Sequence, residues 1–321
     1  MTRLLMRRTF ATRAAAVIDE ELKTVIQQLR SMGSEGAAVL VTPDHVTKLA
    51  DTKTPATLYQ MGQAIFENST DDSNASSITQ SVLLWQTAAA KGHLNAKYSY
   101  AQCLKQGKGE LKADPVAATA HFRQLYEAKH AWGTYGYAEA LNFGDGIRPN
   151  KPKAFELYMA CARSDLPPAY MAVANMYASG EGVAKNPGEA LEWYHKAAAK
   201  GDAHAKSILG DWYFNGVHNV VQNVSLGLSL RQEAARAGVP NALFNMGCLY
   251  RVGDHVEKNE TVAYKLFQQA AIKGHGLAIF NVALMLRDGV GVPPNKEAAK
   301  KWLQTLAPHD IQAKEMLDAM D

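Results

Sequence analysis

A motif returns along this chain every 36 or 37 residues, and no other feature restricts the fold as tightly. Small residues mark it at Ala96, Gly133, Ala169, Ala205, Ala242 and Ala278. A second marker keeps the same step: Asp114, Asn150, Asn186, Asn223, Asn259 and Asn295. A period of this size means a stacked array, in which each unit buries its apolar face only against its neighbours. Such arrays offer a long surface to a partner more often than they carry chemistry.

The spacing predicts two helices per unit. In the plainest copy the first runs from about Pro168 to Ser179, with Val173, Ala174 and Tyr177 on one face. The middle member of that trio is Ala or Gly in every copy (Ala101, Ala138, Ala174, Gly210, Gly247, Ala283), so the paired helix can come close. Gly107, Gly144, Gly180 and Gly289 are each followed two residues on by another glycine. They are expected to end the first helix, because glycine accepts the left-handed conformation found there. The pairs lack the preceding strand and third glycine of a phosphate cradle. The Asn or Asp marker is expected to cap the second helix, with Pro115, Pro152 and Pro187 at or near its first turn.

From Ala169 the residues read Ala-x3-Val-Ala-x2-Tyr-x2-Gly-x-Gly-Val-x2-Asn and continue into Ala190, Trp193, Tyr194, Ala197 and Ala198. The assembled motif resembles the Sel1-like repeat, a relative of the tetratricopeptide repeat. The Gly-x-Gly-Val turn and the Ala-x2-Trp-Tyr-x2-Ala-Ala second helix carry the likeness. The copies at Gly133, Ala205 and Ala242 are degenerate, with His218 and His255 following the turn glycines Gly216 and Gly253. The resemblance covers about residues 94–305 in six copies. It implies an all-α fold, a right-handed α-α superhelix of helical hairpins. Residues 56–93 look like a divergent first repeat, with Ala56, Leu58, Tyr59, Met61 and Gly62 in one helix and Trp85, Ala88 and Ala89 in the next. A polar insertion from Asn68 to Ser77 separates them. Residues 19–55 are expected to form capping helices at one end, and residues 306–321 a cap at the other.

The first 18 residues hold Arg3, Arg7, Arg8 and Arg13 interleaved with Leu4, Leu5 and Phe10, and no acid before Asp19. This pattern resembles a mitochondrial transit peptide, with Arg8-Thr9-Phe10-Ala11 like a matrix-protease site. Loss of Arg3, Arg7 and Arg8 would lower the formal net charge from +3 to 0. A neutral balance removes the bulk-charge argument for nucleic acid. No run of about 20 apolar residues suggests a membrane span. Cys103, Cys161 and Cys248 are odd in number and far apart, so neither a zinc site nor a disulfide framework is supported. The secreted and intermembrane-space proteins that the resemblance brings in carry a cysteine pair per repeat. This chain lacks it, which favours a reducing compartment such as the matrix. His93 and His275 occupy equivalent places in distant repeats and cannot share a metal. With no HExxH and no CxxC, neither catalysis nor a cofactor is expected.

In the families this chain resembles, the first helices line the concave surface. Counting from each small anchor, offsets +2, +6 and +9 fall off the packed face. Offset +2 supplies Tyr98, Tyr135, Met171, Phe244 and Phe280, with Ser207 as the sixth; offset +6 supplies Asn175, Asp211 and Leu284, with Gln102, Glu139 and Cys248 in the same row; offset +9 supplies Phe214, Arg251 and Arg287, with Lys105, Asn142 and Ala178 in the same row. Aromatics and Arg dominate interface hot spots, so Phe244, Phe280, Leu284, Arg251 and Arg287 are expected to form a docking cluster for a peptide or helix. The competing expectation is that Phe244 and Phe280 pack between repeats. The functional expectation is a mitochondrial protein-interaction adaptor or assembly factor. An RNA-binding helical array and a hydrolase of the secreted Sel1-like kind are the alternatives.

Overall fold

The computed structural model describes residue 49 and residues 51–67, 75–308 and 310–320. The transit-peptide reading and almost all of the amino-terminal capping segment lie outside the described residues. Among the described residues are fifteen helices and no strand. They are α1 (Pro55–Glu67), α2 (Ala75–Ala90), α3 (Leu94–Gln106), α4 (Pro115–Glu127), α5 (Ala131–Phe143), α6 (Lys151–Arg163), α7 (Pro167–Ser179) and α8 (Pro187–Ala199). Then follow α9 (Ala203–Asn215), α10 (Val224–Arg236), α11 (Pro240–Val252), α12 (Glu260–Ile272), α13 (Gly276–Asp288), α14 (Lys296–Leu306) and α15 (Ile311–Asp318). The chain divides into two compact units, one ending at Leu166 and the other beginning at Pro167. Within each unit every helix packs on the next in sequence, so the hairpins are built from local contacts.

The markers explain the regularity. Each marker carboxylate or amide oxygen accepts from the backbone N–H three residues on, as in Asp114 to Ala117, Asn186 to Glu189 and Asn259 to Val262. That satisfies a donor the helix start would leave orphaned. The marker's own N–H reaches back to the first helix: Asn150 N donates to Leu141 O at 2.8 Å, and Asn259 N to Tyr250 O at 2.8 Å. One residue therefore starts the second helix and ties it to the first.

The extra residue of a 37-residue step has a fixed address. Marker and next anchor are always 19 residues apart, as from Asn223 to Ala242, whereas anchor and marker are 18 apart in the copies at Ala96 and Ala205 and 17 in the others. The longer turns keep the same tie, Asp114 N to Leu104 O at 2.9 Å and Asn223 N to Tyr213 O at 2.8 Å. The turn absorbs the insertion and the hairpin does not.

Glycine is required where the turn touches the preceding repeat. Gly146 has φ +69°, and a Cβ there would lie 2.2 Å from the carbonyl oxygen of Pro115. In the degenerate copies His218 and His255 adopt φ 58° and 55° at this point. His218 lies 4.4 Å from the Trp212 ring and His255 stands edge-on to Phe214.

The core is a file of alanines backed by one large residue per hairpin. Ala96, Ala169, Ala205, Ala242 and Ala278 are fully buried, with Phe122 and Phe267 close to them in burial. Gly247 brings the helices together: a Cβ there would sit 2.7 Å from the Phe267 ring. Residues 55–90 form a hairpin of the same kind, Gly62 lying under Trp85, whose Nε1 donates to Tyr59 O at 3.2 Å. Its second helix begins at Ala75, earlier than the polar stretch ending at Ser77 suggests. At the carboxyl end α15 packs on α14, burying Ala313 and leaving Ile311 exposed.

Candidate functional site: the free face of the first helices

In the unit ending at Leu166 the free face is aromatic. Tyr98 and Tyr135, one repeat apart, are bridged by Trp132. The Trp132 ring centroid is 5.9 Å from Tyr98 and 6.3 Å from Tyr135. Tyr98 also leans on Phe122 and His130, and Tyr135 on Tyr158. The two tyrosines are half-buried, whereas Trp132 keeps 42 % of its surface exposed. Burial pushes the phenols of Tyr98, Tyr135 and Tyr158 up, so they stay neutral donors. One turn beyond Tyr135 stands Glu139, a half-buried carboxylate with no hydrogen bond to any described residue. Burial raises its pKa. Lys105 Nζ is 4.0 Å from Glu139 but 2.9 Å from Asp145, which is its close partner.

In the unit beginning at Pro167 the same face is mostly consumed by contacts within the chain. Asn175 accepts from the Tyr194 hydroxyl at 2.8 Å. One repeat later Asp211 Oδ1 accepts from Arg231 Nε at 2.7 Å and from Asn245 Nδ2 at 3.0 Å. Arg231 is only 5 % exposed, and its guanidinium lies 4.0 Å from the Phe214 ring centroid. The two pairs are equivalent. Offset +6 of the first helix meets the residue eight beyond the marker on the second, and the partners match in kind. Phe244 stacks on His275 of the next repeat, 4.6 Å between centroids, and leans on Phe267. It packs between repeats, and half-buried Phe280 lies against the same core. Arg251 donates to Asn281 at 2.7 Å, and Arg287 pairs with the adjacent Asp288. Met171 and Leu284 are half-buried on this face.

Three of the described histidines are helix caps. His93, His130 and His275 each accept, through Nδ1, the N–H of the small anchor three residues on; Asp202 does the same for Ala205. Burial lowers the pKa of all three, which keeps Nδ1 free to accept. Cys103 and Cys161 are buried, and burial pushes both thiols up to about 11. Among the described residues no group of three or more His, Cys, Asp or Glu side chains converges as a metal site would require, and no helix is long and apolar enough to cross a membrane.

A family model described as the Sel1 repeat matches residues 94–130, 133–158, 167–202, 203–239, 240–275 and 276–307, well over half of the chain. The chain belongs to the Sel1 repeat family. Solved structures bear out the all-α repeat fold. A Sel1 repeat protein from Oxalobacter formigenes is 20 % identical, with a TM-score of 0.65 over 75 % of this chain and 100 % of that one. A protective antigen of uropathogenic Escherichia coli displaying an SLR fold is 22 % identical, with a TM-score of 0.56 over 87 % of this chain and 67 % of that one. Among curated proteins, the chitin synthase regulator SKT5 of Saccharomyces cerevisiae is 25 % identical over 56 % of this chain and 32 % of its own length. Chitin synthase regulatory factor 2 of Schizosaccharomyces pombe is 31 % identical over 42 % of this chain and 28 % of its own length. The chain thus spans about a third of the length of these two curated relatives. Within the Sel1 frame, the offset count reaches Glu139 at +6 without marking it as a contact, and it overlooks Trp132 and Arg231. Trp132 precedes its anchor by one position, where the other copies carry Asn95, Pro168, His204, Asn241 and Leu277. It is the only Trp, Tyr or Phe at that position among the six copies, which is the signal that marks it.

Proposed function

We propose that this Sel1 repeat protein is an interaction adaptor that receives a partner protein on the free face of its first helices, and that it works in the mitochondrial matrix. The observation that carries the first part is the exposure of Trp132 between Tyr98 and Tyr135. A large aromatic left open among ordered rings is the composition of an interface hot spot. The fungal relatives, of whose length this chain spans about a third, are named as a regulator and a regulatory factor, which supports action through another protein. The matrix assignment is supported by the arginine-rich, acid-free start of the sequence.

A photo-crosslinking amino acid placed at Trp132 in cells, and at exposed Ile272 as control, tests the surface. A discrete partner joined at position 132 and not at 272 is expected; equal, diffuse labelling at both sinks the reading. Import of a reporter carrying residues 1–18 into isolated mitochondria, with cleavage, tests the compartment.

A further inference from the structure

We propose that the aromatic shelf of Tyr98, Trp132 and Tyr135, with Glu139 at its edge, is the seat for an arginine side chain of the partner. This rests on the adaptor reading and names what the surface recognises.

Three features converge. The rings are tilted rather than coplanar, at 46° between Tyr98 and Trp132 and 73° between Trp132 and Tyr135. They leave the exposed indole flanked by two phenol rings. A cation is drawn to such π faces, most strongly to indole, and guanidinium stacks on them better than ammonium. Next, Glu139 shares a helix face with Tyr135, and its ion-pair contact, Lys105 Nζ, stands off at 4.0 Å, beyond hydrogen-bond reach. A half-buried carboxylate in that condition gains from a bidentate donor, which guanidinium supplies in its own plane. Finally, the local charge is unbalanced. Glu139 and Asp145 face a single ammonium, Lys105, held 2.9 Å from Asp145. The surplus is negative, which fits a basic partner and opposes the phosphates of RNA, although the rings alone could stack bases.

The equivalent positions elsewhere lack this combination. Asn175 and Asp211 are bonded to Tyr194 and Arg231.

The full chain, immobilised, is used to select from a phage-displayed random peptide library, and the enriched peptides are titrated against variants. Arginine-bearing peptides are expected. They should lose about tenfold in affinity against Trp132→Ala, the loss of a desolvated cation–π contact with its packing. A loss of similar size is expected against Glu139→Gln, with a shallower salt dependence. Val221→Ala, at an exposed site in the other unit, should bind like the parent. Thermal melting of each variant checks folding, and Trp132→Phe and Glu139→Asp should recover part of the affinity. Peptides enriched without a basic residue, lysine peptides bound as well as arginine ones, or unchanged affinity in both variants would overturn the proposal. So would tight, Trp132-dependent binding of single-stranded oligouridylate. If enriched peptides lack arginine yet still lose affinity with Trp132→Ala, the inference fails and the adaptor reading stands. If they ignore every substitution on the free face, both fail.

Discussion

The two units use one backbone plan to opposite ends. In the unit ending at Leu166, offset +6 is Gln102, which bonds Tyr98 on its own helix, and then Glu139, which no described residue hydrogen-bonds. In the unit beginning at Pro167 the same offset starts with Asn175 and Asp211, each satisfied from the second helix of its own hairpin, and continues with the apolar Cys248 and Leu284. The first unit therefore keeps polar capacity and an indole open to solvent, and the second spends its capacity on holding hairpins together. Repeat position alone does not decide whether a side chain is available. The residue it meets on the neighbouring helix does.

The widest test of this comparison truncates the equivalent core rings. Phe122→Ala in one unit and Phe267→Ala in the other should each cost about 4 kcal/mol, read by denaturant unfolding. Hydrogen exchange should place the loss in the mutated unit, since each repeat contacts only its neighbours. Equal loss of protection in both units would show that the chain unfolds as one block.

Gly227→Ala comes next. Its Cβ would lie 2.5 Å from the backbone nitrogen of Phe214, so α9 and α10 must separate at a cost of about 3 kcal/mol. Gly276→Ala, where the nearest outside atom is 3.6 Å away, should instead be neutral or mildly stabilising through helix propensity.

The matched pairs give a smaller and sharper effect. Arg231→Leu should cost about 2 kcal/mol, because it strips Asp211 of its cation, although Asp211 is a third exposed and water recovers part of the loss. Combining Arg231→Tyr with Asp211→Asn copies the pair of the preceding repeat and should restore most of the stability. A double variant no better than Arg231→Leu would break the idea that the partners are chosen together.

The smallest effect is in acid. His93, His121 and His130 lie in the first unit and His275 in the second, and burial lowers the pKa of each. The unfolded chain then takes up protons first as pH falls through the ordinary histidine range, so stability drops on acidification and is fully present above that range. The first unit should lose more. Replacing His93 and His130 with Asp, the cap used at position 202, should remove most of the difference. An unchanged acid response would show that the caps are not its source. Glu139, whose pKa burial raises, acts the other way at lower pH, so the comparison belongs near neutrality.

The backbone plan was legible because it is written locally. Asn186 accepts from the N–H of Glu189 three residues away, and Gly180 ends its helix with its own torsion angles. The row through Tyr98 and Tyr135 was also readable, since helical geometry fixes which offsets leave the packed face. What a side chain does there was not. Phe244 is covered by His275 from the following repeat, and Asp211 is neutralised by Arg231 from the second helix. Those contacts join residues 31 and 20 positions apart. Trp132 escaped because it falls outside the +2, +6 and +9 offsets, although an indole one place before the anchor is found in no other copy.

Because every 37-residue step hides its surplus between first helix and marker while the tie to the carbonyl stays intact, length can change there without disturbing what lies on either side. That loop is where this lineage could lengthen, shorten or decorate a module freely, and where an engineer could splice in a foreign epitope and leave the docking residues in register.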